Sequence, residues 1–224
     1  MSRFVVVHGG FGGGWEWRNV ALLLQASGHE VTRPTLTGLG ERSHRATPAL
    51  DLETHIDDVV QHLQFDGLRD VVLCGHSYGG MVVTGVADRV PERIARIVYI
   101  DAFVPRDGES LFDLAGPELA ASLRDAAVDG LVPPPAGNPS GYPAWYLARG
   151  RPHPLACFEQ PIGLTGRGSA IPRSYIKCSQ SDIPVDMCVA RAREAGWDVT
   201  EIDTHHDAQV ADPETLARML AAAT

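Results

Sequence analysis

The chemistry in this chain is easiest to read in one stretch, Val71-Val72-Leu73-Cys74-Gly75-His76-Ser77-Tyr78-Gly79-Gly80. An apolar run ends in Gly-His-Ser-Tyr-Gly, and a pattern of helical period follows at once. A strand that turns sharply into a helix leaves one side chain standing at the bend, and here that side chain is Ser77. Such a bend strains the backbone of the exposed residue and needs small neighbours. Gly75 and Gly79 meet that need because no Cβ collides across the turn. Gly80 adds room for the helix to sit close to the strand. The pattern predicts a nucleophilic serine at the C-terminal edge of a sheet, with a helix N-terminus behind it.

A serine hydroxyl is a poor nucleophile at neutral pH and needs a base. Nine histidines are available. His206 is the best placed, because it follows the predicted strand Val199–Ile202, precedes the final helix and is the last histidine in the chain. Its neighbour His205 is the alternative by loop position. His55 and His62 fall on a predicted helix and read as surface residues. His29, His44 and His153 fall in turns, where a solvated histidine is the default. His76 reads as a packing and hydrogen-bonding support for the serine turn.

The elements that must position these residues alternate. Strands are expected at Phe4–His8, His29–Pro34, Asp70–Gly75, Arg96–Ile100, Ser174–Cys178 and Val199–Ile202. Helices are expected at Trp15–Ser27, from an Asp51 or Thr54 cap, at Met81–Val90, Val185–Ala195 and Glu214–Ala223. This alternation implies a parallel sheet with helices on both faces and ligands bound outside the carboxyl ends of the strands. His8, Ser77, Asp101 and His206 all fall at such ends. The segment Ala102–Pro172 is rich in Pro and Gly, with helical promise only over Leu111–Leu131. It reads as a cap insertion, at about 104–172, within one domain spanning 1–224.

The chain has 224 residues, enough for one sizeable core, and a net charge of −9 without a basic stripe, which argues against a nucleic-acid partner. No apolar segment approaches the ~20 residues of a membrane span. Cys74, Cys157, Cys178 and Cys188 form no C-x-x-C pair, and none lies near a histidine cluster at metal-ligand spacing. Neither a metal nor an organic cofactor is implied. A soluble, cytoplasmic monomer or homodimer is expected, with no membrane partner.

Three segments, His8-Gly9-Gly10…Trp15-Glu16-Trp17, Gly75-His76-Ser77-Tyr78-Gly79-Gly80 and His206…Pro213, resemble the α/β-hydrolases. Within that family the chain is most similar to the group holding plant methylesterases, hydroxynitrile lyases and related small bacterial esterases. Pro34-Thr35-Leu36-Thr37-Gly38-Leu39-Gly40-Glu41-Arg42 and Tyr99-Ile100-Asp101-Ala102-Phe103-Val104-Pro105 look like segments of the bacterial members. The resemblance runs from Phe4 to the last helix and is weakest across the cap. It implies an α/β-hydrolase fold with about six mostly parallel strands, since this group lacks the family's first two. It also implies an oxyanion hole made by the backbone N–H groups of Gly10 and Tyr78.

The acid departs from the family pattern. Plant members carry it after the penultimate strand, where this chain has Gln180, which cannot stabilise an imidazolium by charge. Asp101 is the first candidate, because a carboxylate ending a buried strand is costly unless paired, and the Nδ1–H of His206 would pair it. Asp182 is the alternative acid, with a competing use as N-cap of the helix begun near Pro184.

These residues lead to a serine hydrolase, a carboxylesterase or lactonase, acting on a small apolar or aromatic ester through an acyl-enzyme. The substrate-pocket candidates are Phe11, Phe103, Phe112, Trp145, Tyr146 and Phe158, with Leu114 and Tyr78 beside them. A non-catalytic small-molecule binding protein on the same fold is the alternative, supported by Gln180. A hydroxynitrile lyase is a further alternative, but Gly9 and Asp207 replace the Thr and Lys usual in those enzymes. A cofactor-free oxygenase uses a similar Ser/His pair.

Overall fold

Alternate residues of β1 (Arg3–Val7) set the architecture: Val5 and Val7 join one buried cluster, Phe4 and Val6 the other. In a strand successive side chains face opposite ways, so this sheet is covered on both faces. The computed structural model describes residues 1–138 and 140–223. A 3₁₀ turn over Gly14–Trp17 leads into α1 (Arg18–Ala26) and β2 (Glu30–Thr32). The chain continues through α2 (Leu52–Phe65), β3 (Val71–His76), α3 (Gly79–Arg89) and β4 (Ile94–Ile100). Asp51 caps α2, its carboxylate accepting the Thr54 N–H at 2.9 Å.

Between β4 and the next long strand lie α4 (Leu111–Ala115), α5 (Pro117–Ala126), β5 (Leu131–Val132), α6 (Ala144–Leu147), β6 (His153–Pro154) and α7 (Ala156–Glu159). The single helical region expected over Leu111–Leu131 is thus two helices. Gly116, at φ 84°, ends the first, and Pro117 starts the second, where its missing N–H costs nothing. The chain then alternates again through β7 (Arg173–Cys178), α8 (Asp186–Glu194), β8 (Asp198–Ile202), α9 (Ala208–Ala211) and α10 (Pro213–Ala222). Val185, not Asp182, stands at the N-cap of α8.

Six strands form one sheet in the order β2-β1-β3-β4-β7-β8, every pairing parallel. Helices α2, α3 and α8 bury their apolar sides on the face carrying Leu73, Ile97, Tyr99 and Tyr175. Helices α1 and α10 cover the other face, against Cys74, Val98, Ile100 and Ile202. Strands β5 and β6 pair antiparallel in a small two-stranded sheet apart from this one. Among the described residues no helix is long and apolar enough to cross a membrane.

Candidate active site

Ser77 follows the last residue of β3 with φ 53°, the left-handed region that a residue with a Cβ enters only at a cost. Its backbone is held on both sides: its N–H donates to Ile100 O at 3.2 Å, and its carbonyl accepts the Phe103 N–H at 3.1 Å. The helix behind it approaches the sheet closely. A Cβ at Gly79 would stand 2.6 Å from Val7 O and 2.7 Å from His8 O, and one at Gly80 would overlap Phe103 O. These two glycines let α3 start where the strand ends.

Asp101 follows β4 and is fully buried, also in the left-handed region at φ 43°. Its Oδ2 accepts a hydrogen bond from His206 Nδ1 at 2.6 Å, and its Oδ1 accepts the Cys178 N–H at 3.1 Å. Burial alone would raise its pKa. The hydrogen bond and charge of His206, with Ser181 and the Cys178 amide, outweigh burial and hold it below the ordinary carboxylate value. For His206 burial acts downward, but the Asp101 bond and the charges of Asp207, Asp101 and Asp182 win, so its pKa is raised. The His206 loop is anchored to the serine turn: His76 Nε2 donates to His206 O at 3.0 Å, and the two rings lie 4.6 Å apart.

The other acid positions point elsewhere. Asp182 is exposed and bonds to neither ring nitrogen of His206. Gln180 turns its amide to Asp203 Oδ1 at 3.0 Å on the exposed rim. His205 sits against Gln180 O at 3.4 Å rather than against a carboxylate. Asp207 bonds to neither ring nitrogen of His206; its N–H donates to Tyr142 Oη at 3.0 Å and its Oδ1 accepts from Gln209 at 3.2 Å. Buried Glu16 lies in the same group, and burial beside Asp207 pushes its pKa well up. Nothing in the local sequence signals this pair, which only the fold brings together.

Gly10 and Tyr78 stand at the ends of β1 and β3, and among the described residues neither backbone N–H donates to an internal acceptor. Phe11, Tyr78, Phe112 and Phe158 form one aromatic group with His153. Trp145 and Tyr146 form another with Trp15, and the Trp15 and Trp145 ring centres are 6.1 Å apart. Trp145 is 44% exposed, so it stands at a rim rather than in a pocket wall. Phe103 is buried in the core, and among the described residues its ring joins neither group.

Two histidine readings and one cysteine reading are corrected. His55 and His153 are fully buried, not surface or solvated residues. His55 Nε2 lies 2.9 Å from Thr37 O and Nδ1 2.8 Å from Tyr78 Oη. Helical period alone did not separate His55 from His62, although His55 directly precedes Ile56 on the inner face. Cys157 Sγ and one ring nitrogen each of His55 and His153 lie within 4.8 Å of one another, a spacing that only the fold creates. The Cys157 thiol reaches Leu50 O at 3.5 Å, and burial pushes its pKa up to about 12.

Sheet order, serine turn and acid-histidine pair define one class, and the chain belongs to the alpha/beta hydrolase family, whose model matches residues 4–219. It is 41% identical to a carbendazim hydrolyzing esterase of Nocardioides sp. (strain SG-4G), over 99% of both chains. It is 36% identical to methylesterase 8 of Arabidopsis thaliana over 46% of this chain and 39% of that one. An extracellular alpha/beta-hydrolase from a Paenibacillus species, described as sharing structural and functional homology with tobacco salicylic acid binding protein 2, superimposes with a TM-score of 0.88. The identity is 27%, and the match covers 100% of this chain and 99% of that one.

Proposed function

We propose that this carboxylic ester hydrolase works through an acyl-enzyme formed on Ser77. The observation that carries the reading is the 2.6 Å bond from His206 Nδ1 to buried Asp101, one strand away from a serine at φ 53°. That bond fixes the imidazole tautomer with Nε2 free to take a proton. Ser77 Oγ attacks the ester carbonyl as His206 accepts its proton. His206 then passes the proton to the leaving alcohol, and the C–O bond breaks. Water repeats the sequence on the acyl-enzyme, releasing the acid and restoring Ser77. Asp101 holds the ring and stabilises the imidazolium. The unengaged amides of Gly10 and Tyr78 bind the oxyanion, each worth about 3 kcal/mol when aimed at the tetrahedral intermediate.

The aromatic groups around Phe11, Phe158 and Trp15 support a small apolar or aromatic ester as substrate, in keeping with the carbendazim-hydrolysing relative. The binding-only alternative drew its support from Gln180, and the Asp101–His206 bond removes that support. A lyase is disfavoured by Gly9 and Asp207. The test is labelling by a fluorophosphonate and hydrolysis of short p-nitrophenyl esters. Wild type should react and Ser77→Ala should not; an unreactive wild type would overturn the reading.

A further inference from the structure

The segment Arg151–Phe158 reaches the loop that carries Gly10. Phe11, the next residue, has φ 63°, a conformation its side chain disfavours and its surroundings must impose. Two bonds do so. Arg151 N–H donates to Phe11 O at 2.8 Å, and Phe11 N–H donates to His153 Nδ1 at 3.3 Å. The His153 ring is itself fixed, stacked on Phe158 at 4.3 Å and set edge-on to Tyr78 at 4.8 Å. It is fully buried, and a Cβ built on Gly10 would lie 3.8 Å from its Nδ1.

A backbone N–H can only donate, so Nδ1 is bare and Nε2 carries the hydrogen. Burial, with His55 and His8 near, holds the His153 pKa well below the ordinary value, so the ring stays neutral and able to accept. Its Nε2 has no partner among the described residues. We propose that His153 is a positioning residue whose Nδ1 holds the Phe11 amide and thereby aims the Gly10 amide at the oxyanion. This rests on the esterase reading above. The geometry makes the segment between β4 and β7 a component of the oxyanion site as well as a wall around the substrate.

Substituting His153 by Asn and by Gln separates the two ring nitrogens. Asn sets a carbonyl oxygen near the place of Nδ1, whereas Gln sets its amide near the place of Nε2. With p-nitrophenyl acetate, His153→Asn should keep kcat close to wild type. His153→Gln and His153→Leu should lose about 100-fold in kcat with KM little changed, the loss typical of a misaimed oxyanion donor. Retention by Gln with loss by Asn, or a rise in KM alone, would overturn the proposal. A second readout needs neither turnover nor a variant. Nitrogen-15 NMR of wild type should show His153 with Nδ1 unprotonated across the working pH range. A protonated Nδ1 would overturn the proposal even in an active enzyme, whereas an inactive wild type would count against the esterase reading instead.

Discussion

Ser77 and Asp101 are equivalent positions on neighbouring strands: each follows a paired residue, His76 and Ile100, and each turns at positive φ, 53° and 43°. The two turns are stitched together by Ser77 N–H to Ile100 O and Phe103 N–H to Ser77 O. Ser77 and Asp101 are therefore placed by one hydrogen-bonded pair of turns rather than by two independent loops. His206 alone arrives from elsewhere in the sequence, and its carbonyl is tied back to His76.

From this placement, Asp101→Asn should lower kcat by about 10⁴-fold, since it leaves the imidazole in the wrong tautomer. Asp182→Asn should stay near wild type. Adding Gln180→Asp to Asp101→Asn should restore nothing, because residue 180 faces Asp203 on the rim. Steady-state kinetics on p-nitrophenyl esters check all three, and recovery in the double variant would return the acid to the loop after β7.

The pH profile follows from the same pair. His206 must be neutral to take the serine proton, and its pKa is raised above 6.5, so kcat/KM should fall as pH drops through that raised value. In Asp101→Asn burial remains while the hydrogen bond and charge are gone, so the acid limb should move to lower pH. An unmoved limb would separate the titration from His206. Because the Asp101 pKa is depressed below 3.8 and the His206 pKa is raised above 6.5, the pair adds stability between these values and loses it as pH falls through the depressed value or rises through the raised one.

Tyr175 has a role its sequence position does not announce. Its buried hydroxyl accepts the Ala102 N–H and donates to Ala102 O, both at 2.8 Å, clamping the residue after Asp101. Tyr175→Phe leaves both backbone groups without this partner. It should destabilise the protein by about 1–3 kcal/mol in urea unfolding and lower kcat more than it raises KM. Unchanged kcat would show that the Asp101 turn holds without the clamp.

The sheet was legible because its strands are short apolar runs set off by glycine, proline and polar loops, and Ser77 because small residues crowd it for a steric reason. Asp101 was legible only as an anomaly, a charge at the end of a buried strand; its bond to His206 spans 105 positions. Short local structure was not readable. Strands β5 and β6 have two residues each, too few for any period to emerge, and Leu111–Leu131 reads as one helical region although Gly116–Pro117 breaks it. The burial of His55 and His153 is not legible in sequence because burial of a polar ring depends on partners from distant segments, such as Thr37 for one and Phe11 for the other.

The contact between Trp15, on the loop after β1, and Trp145, between β4 and β7, equips the molecule with its own optical gauge. Two indoles this close couple their excited states, so this arrangement should give an exciton couplet in far-ultraviolet circular dichroism. Separation of the two segments would erase it. Any change in the spacing of the two segments can thus be followed in the unlabelled protein, with Trp145→Phe as the blank.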